Sequence, residues 1–302
     1  MINCHLAEAV ERKDGRAGSR KIFPQRLTRI WAVLLILIVA ALGQAAPAAG
    51  EAPVLPLSLL NSRPHQADSY TQGLFFYQGR LYESSGLYGR SAVSMWAFGL
   101  GASPEPLKRA PLDDRYFAEG ACQAEGDIYL LTWQERTGFI LSAEDLGLKG
   151  RFGYEGQGWG LSFDGRKLWR SDGTARLFPH RPGDFGPDGD PLTVRDGGRE
   201  VDQLNELEWD PATGLMLANV YGSDRVAAID LSSGLVRFWL EAAPLRRLAV
   251  KDGLTETGNP LDTVLNGLAL DGSSLWLTGK LWPRLYQVAW PPAGWDGTAQ
   301  AP

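Results

Sequence analysis

Five short segments of the chain open with a side chain able to hydrogen-bond or stack, each set just ahead of a strand start. They are Gln72 before Gly73-Leu74, Glu119 before Gly120-Ala121, Trp159 before Gly160-Leu161, Asn205 before Glu206-Leu207 and Asn266 before Gly267-Leu268. The chemistry such a set can perform is proton transfer beside an amide or carbonyl. A carboxylate in apolar surroundings loses solvation, so its pKa rises toward the range where it can both take and return a proton. Glu119, between Phe117 and Cys122 in an apolar segment, is the side chain that meets this description.

Residues so far apart can act together only if the fold is radial. Each anchor is followed by a Gly-containing turn and a second apolar strand, and the anchors lie 47, 40, 46 and 61 residues apart. That spacing is typical of propeller blades. Further β-rich stretches (Val93–Phe98, Gly138–Leu141, Leu148–Phe152, Ala175–Phe178, Val226–Ile229, Leu235–Leu240) bring each unit to about four strands. The expected fold is therefore all-β, a five-bladed β-propeller. Its last unit lacks an outer strand, and Val54–Leu60 is expected to supply it, closing the ring by pairing the N-terminal strand with the last blade. The insertion 241–263 is helix-compatible and is expected to lie over one face.

In a propeller the first strand of each blade lines the channel, and the antiparallel second strand ends at the mouth where the first begins. The starts place Gln72, Phe117, Glu119, Trp159, Asn205, Glu206 and Asn266 there. The second-strand ends add Glu83, Ser84, Trp133, Ser171, Asp172, Asn219, Tyr221, Thr278 and Lys280. Trp169, Trp209, Trp239 and Trp276 read as core or inter-blade packing, and Cys122 as a small buried thiol.

Composition narrows the function further. A basic stretch from Arg12 to Arg29, an apolar run from Ile30 to Leu42 and the small residues of Gly43–Gly50 describe a secretory leader over residues 1–50. The apolar run is short for a membrane span, which needs ~20 residues. The domain is then 51–302, and a periplasmic or secreted location follows. The leader holds 7 basic and 3 acidic side chains, so residues 51–302 carry 23 basic against 32 acidic, a net of −9. An acidic domain without a basic run is a poor nucleic-acid binder. With Cys122 alone after the leader, no internal disulfide is expected.

The 3 histidines, His5, His65 and His180, cannot assemble a zinc site, and neither a Gly-x-Ser-x-Gly elbow nor a Gly-x-Gly-x-x-Gly loop occurs. No cofactor is required by the acid–base reading. A structural calcium on the channel axis, held by backbone carbonyls, would leave no sequence signature. Two other classes share these features: a non-catalytic peptide-binding propeller using the same mouth, and a calcium-dependent propeller hydrolase. The second needs several channel carboxylates, whereas this axis is mostly amides and aromatics.

Eight blocks occur in order along the chain: Tyr70-Thr-Gln-Gly-Leu74, Leu81-Tyr-Glu-Ser-Ser-Gly-Leu-Tyr-Gly-Arg-Ser91, Tyr116-Phe-Ala-Glu-Gly120, Gly158-Trp-Gly-Leu161, Ser171-Asp-Gly-Thr174, Leu204-Asn-Glu-Leu-Glu208, Val264-Leu-Asn-Gly-Leu268 and Thr278-Gly-Lys-Leu-Trp-Pro283. In them the chain resembles the plant-type and bacterial glutaminyl-peptide cyclotransferases. The resemblance implies a five-bladed propeller that converts N-terminal glutamine of peptides or proteins to pyroglutamate with release of ammonia, without metal, as a monomer. It places the active-site mouth on Gln72, Phe117, Glu119, Trp133, Trp159, Asn205 and Lys280. By that reading Glu119, Asn205 and Lys280 are catalytic, while Gln72, Phe117, Trp133 and Trp159, joined by Tyr221 and Asn266 from the blade geometry, bind substrate. Two departures stand out. Tyr70 replaces the Phe common in relatives, as a ring expected only to pack, and Tyr221 replaces a Trp of plant members, which bears on substrate range.

Overall fold

The computed structural model describes residues 50–99, 105–255 and 257–297. The expected leader, residues 1–50, lies outside this range except for Gly50.

Short strands separated by Gly turns arrange into five sheets, four of four strands and one of seven. The first contains Thr71–Tyr77, Arg80–Ser85, Ala92–Ala97 and Lys108–Pro111, and the second Ala118–Ala124, Asp127–Thr132, Thr137–Ser142 and Leu148–Gly153. The third contains Leu161–Phe163, Leu168–Arg170, Arg176–His180 and Leu192–Thr193. The fourth is built on Leu204–Asp210, Leu215–Val220, Arg225–Asp230 and Leu235–Glu241. The fifth contains Leu265–Asp271, Ser274–Gly279, Arg284–Ala289 and Leu59–Pro64.

The fold is an all-β propeller, but the expectation of a five-bladed one is corrected. Regular four-stranded blades number four, and the fourth repeat unit is part of a seven-stranded sheet instead. The cause lies at the outer edge of Leu235–Glu241, whose free backbone groups would otherwise face solvent. Val54–Pro56 pairs with this edge in parallel, Val54 opposite Trp239. The hairpin Arg195–Asp196/Arg199–Glu200 pairs beside it, Arg195 opposite Leu235. Asp196 fastens both additions, accepting from Ala52 N at 2.6 Å and from Trp239 Nε1 at 2.8 Å. Val54–Leu60 is therefore not the outer strand of the last unit. That place belongs to Leu59–Pro64, which lies antiparallel to Arg284–Ala289.

The apolar alternation of these strands buries five separate clusters, one between each neighbouring pair of sheets. Between the first and second sheets lie Phe75, Tyr82, Ile128 and Leu130, and between the fourth and fifth lie Leu217, Phe238, Leu277 and Trp282. Fully burying one such side chain contributes about 1.5–3 kcal/mol. The insertion 241–263 forms the α-helix Ala243–Lys251 and the 3₁₀ turn Pro260–Thr263. Leu245 and Ala249 of that helix are buried against the fourth and fifth sheets.

At the hub the inner strands come so close that side chains are excluded at some positions. A Cβ on Gly160 would sit 1.9 Å from Asn205 O, which is backbone and cannot swing away. Gly160→Ala is therefore expected to destabilise the domain by about 1–3 kcal/mol through overpacking, read as a thermal midpoint several degrees lower.

Candidate active site

Four of the inner strands carry a register irregularity at the same level. The shifts fall between Thr71 and Gly73, Ala118 and Ala121, Leu204 and Leu207, and Leu265 and Leu268. A bulge sets two residues of one strand against one of its partner and re-aims a side chain. Gln72, Glu119, Asn205 and Asn266 lie within these bulges, the last three followed there by Gly120, Glu206 and Gly267. The channel mouth is thus polar because the strands are kinked where the polar residue stands.

The cavity above them measures about 210 Å³ and is lined by Tyr70, Gln72, Phe117, Glu119, Trp133, Trp159, Asn205, Tyr221 and Lys280. That is smaller than the ~300–1,000 Å³ of sites for drug-sized ligands and suits a single side chain. Of the residues expected to be catalytic or to bind substrate, Asn266 is the one the structure sets behind the lining. Its Nδ2 donates to Gln72 Oε1 at 3.0 Å and to Thr71 O at 2.9 Å. Gln72 Nε2 in turn donates to Glu119 Oε1 at 2.9 Å. Asn266 therefore orients Gln72, and Gln72 orients Glu119. Ser84, Ser171 and Asn219, expected at the mouth, instead bridge neighbouring inner strands. Glu206 points along the channel and accepts from Leu74 N at 3.4 Å.

Glu119 is 5 % exposed. Burial pushes its carboxyl well above the usual carboxylate range; Lys280 pulls it back and Glu135 adds to the rise. Lys280, 4 % exposed, is brought down to about 8 by burial, against the support of the Glu119 and Asp262 charges. Its Nζ lies 4.6 Å from the Tyr70 ring centroid and 5.0 Å from that of Tyr221. Ring faces attract a desolvated ammonium, so this lysine keeps partial compensation for lost water. Asn205 Oδ1 is buried and, among the described residues, has no hydrogen-bond partner.

The aromatic walls are fastened from behind. Trp133 Nε1 and Trp159 Nε1 both donate to Gln157 Oε1, at 2.8 and 2.9 Å. Trp159 also packs on Gly173, where a Cβ would meet the indole at 2.7 Å; the φ of +83° there also favours glycine. Phe117 meets Tyr70, Tyr88 and Trp133 edge-on at 6.1, 5.3 and 5.7 Å. Tyr70 lines the cavity as part of the cation site, beyond the packing role expected for it. The sequence reading also missed Gln157, a loop glutamine with no periodic signal, and the two outlying carboxylates. Asp262 accepts from Tyr70 Oη at 3.3 Å and Glu135 accepts from Tyr88 Oη at 2.7 Å.

Among the described residues, no group of three or more His, Cys, Asp or Glu is arranged to hold a metal ion. What the arrangement offers is a desolvated carboxyl with raised proton affinity, a lysine with lowered affinity, amides and a ring-lined wall. Because the Glu119 charge supports the ammonium, Glu119→Gln should move the Lys280 titration below about 8, readable by NMR of the lysine Nζ or Cε. An unchanged titration would show that the two groups are not coupled.

The sequence profile described as "Glutamine cyclotransferase" matches residues 32–290. A curated glutaminyl-peptide cyclotransferase of Arabidopsis thaliana is 38 % identical over 230 residues, spanning 74 % of this chain and 68 % of the relative. The crystal structure of Myxococcus xanthus glutaminyl cyclase superposes with a TM-score of 0.70 at 33 % identity, covering 79 % of this chain and 97 % of the other. The chain belongs to the glutamine cyclotransferase family.

Proposed function

We propose that the protein is a glutaminyl-peptide cyclotransferase, which converts the N-terminal glutamine of peptides or proteins to pyroglutamate and ammonia. The observation that carries this reading is the buried Glu119 held by Gln72 at 2.9 Å in a small cavity walled by Phe117, Trp133 and Trp159. Family membership and the likeness to the Arabidopsis and Myxococcus proteins support it.

The reaction closes a five-membered lactam. The substrate's α-amine attacks its own γ-carboxamide carbon, the carbonyl oxygen gains negative charge, and the C–N bond to the departing nitrogen breaks as that nitrogen is protonated. The amine arrives mostly as an ammonium, with an ordinary pKa of about 7.7–8.0. A carboxyl raised toward that value accepts its proton with little energy mismatch and can return it to the leaving nitrogen. Glu119 takes both roles. Lys280, charged at neutral pH, and the donors of Gln72 and Asn205 face the developing oxyanion. The unfilled Asn205 Oδ1 is an acceptor for the substrate's carboxamide or amine N–H. The aromatic walls exclude water and hold the flexible side chain folded, so that entropy is lost on binding and not in the chemical step. The route draws on no cofactor.

Residues 1–50 read as a secretory leader, and the acidic domain is assigned to the periplasm or the exterior as a monomer. No helix among the described residues is long and apolar enough to cross a membrane.

Glu119→Gln is expected to abolish ammonia release from a Gln-initiated dipeptide. A buried acid with raised pKa favours its neutral form, which Gln mimics while keeping an oxygen for Gln72, so the thermal midpoint near neutral pH should hold or rise. A variant retaining most of its turnover overturns the assignment. Stoichiometric peptide binding by the wild type without ammonia would mark a binding protein instead. The pH profile of kcat/KM should climb as Glu119 ionises, above the ordinary carboxylate range, and fall as Lys280 loses its proton at about 8. Lys280→Arg should carry the alkaline limb upward; a limb that stays in place excludes Lys280 as its source.

A further inference from the structure

We propose that His65 and Glu83 are positioning residues: a buried ion pair that locks the segment carrying Tyr70 and Gln72 to the turn carrying Lys280, across the seam between the first and fifth sheets. The inference rests on the cyclotransferase reading of the cavity and goes beyond its lining, since neither residue touches it.

The number and kind of hydrogen-bond partners favour the charged form of both groups. His65 Nδ1 donates to Trp282 O at 2.8 Å, and Nε2 donates to Glu83 Oε2 at 3.2 Å. The carbonyl oxygen can only accept, so Nδ1 carries a proton; with Glu83 ionised, Nε2 carries one too and His65 is an imidazolium. Glu83 receives three donors: His65 on Oε2, and on Oε1 the hydroxyls of Ser69 and of Thr71, the latter at 2.6 Å. A carboxylate so filled is the ionised form. Both side chains are almost fully enclosed, at 4 % and 1 % exposure. Burial opposes the His65 charge, but Glu83 and the Trp282 carbonyl outweigh it, leaving its pKa above the ordinary value. Burial opposes the Glu83 charge as well, and His65, Ser69 and Thr71 hold its pKa down.

The placement gives the pair its role. Ser69 and Thr71 flank Tyr70 and Thr71 adjoins Gln72, so Glu83 pins this segment by two hydroxyls. His65 holds the other side through its ring to Trp282 O and its backbone N to Pro283 O at 2.9 Å. Leu281 N donates to Ser69 O at 2.8 Å and joins the two segments directly. Leu281 has a φ of +61°, a left-handed turn just after Lys280. Lys280 N donates to Val264 O at 3.0 Å on the fifth-sheet side, and the turn that follows it is held to the first sheet by the neighbours that the pair anchors. His180 shows the contrast: its Nε2 accepts from Arg170 Nε at 3.4 Å while Nδ1 donates to Phe185 O, so this buried histidine is neutral.

The test cuts one link without removing a charge. Thr71→Val keeps the shape and deletes the hydroxyl to Glu83, and Thr71→Ser restores it. On a Gln-initiated dipeptide, Thr71→Val is expected to lower kcat about 10- to 100-fold with little change in KM, the scale of a small misplacement at a reacting centre. Thr71→Ser should return kcat to near the wild-type value. Histidine ¹⁵N NMR of the wild type at pH 7 should show His65 doubly protonated and His180 singly protonated. Thr71→Val with kcat within about twofold of wild type, or a neutral His65, overturns the proposal. A wild type that forms no pyroglutamate brings down the reading of the cavity itself, which a turning-over Thr71→Val does not.

Discussion

The hub is held by hydrogen bonds that run from each sheet to the next around the axis. Ser84 Oγ donates to Glu119 O at 2.6 Å, Gly120 N to Trp159 O at 2.6 Å, and Ser171 Oγ to Asn205 O at 2.7 Å. Gly267 N donates to Asn219 Oδ1 at 3.0 Å, and Asn266 Nδ2 to Thr71 O at 2.9 Å, which returns the circuit to the first sheet. Each bond is worth about 1 kcal/mol net, but a buried partner left unpaired costs about 1–3 kcal/mol. The circuit also involves the backbone of Glu119, Trp159 and Asn205, so the bonds that close the ring set the spacing of the functional side chains.

Within that frame the site is assembled from groups the interior disfavours. Glu119 and Lys280 are both buried, and each pays a desolvation cost that the other offsets only in part. The result is an acid that holds its proton too well and a lysine that holds it too weakly, both displaced toward neutrality, where proton transfer is useful. The rings of Tyr70 and Tyr221 and the amide of Gln72 give these groups contacts that water would otherwise supply. Behind them, Asn266 and Gln157 fix the rotamers of Gln72, Trp133 and Trp159. Such support keeps a binding site rigid without contributing reactive groups of its own.

The seam between the first and fifth sheets is built differently from the other junctions. An ion pair, His65 and Glu83, lies buried where the two ends of the propeller meet. Replacing one partner of a buried pair costs ~3–5 kcal/mol because a bare charge remains, whereas the intact pair adds little stability over an apolar contact. Its value here is geometric: Glu83 gathers Ser69 and Thr71 on the first-sheet side, and His65 carries that anchor across to Trp282 O.

The sequence by itself determined the radial architecture and pointed to most of the side chains that line the cavity, because strand alternation, Gly turns and the anchor spacing are local properties written into each unit. Glu119 was legible as a desolvated carboxyl for the same reason, as a lone carboxylate in an apolar channel strand. What only the tertiary structure decided was which edges pair and where the polar groups behind the wall find partners. Val54–Pro56 is a strand with no preference for either outer edge until Asp196 offers Ala52 and Trp239 a common acceptor. Asn266 reads like Gln72 and Asn205 in sequence, yet its Nδ2 is engaged by Thr71 O and Gln72 Oε1 behind the cavity lining. Gln157, Asp262 and His65 lie in loops or at strand ends without period, and their roles depend on neighbours up to 24, 192 and 217 residues away. Contacts of that range depend on how the ring closes, which no local pattern records.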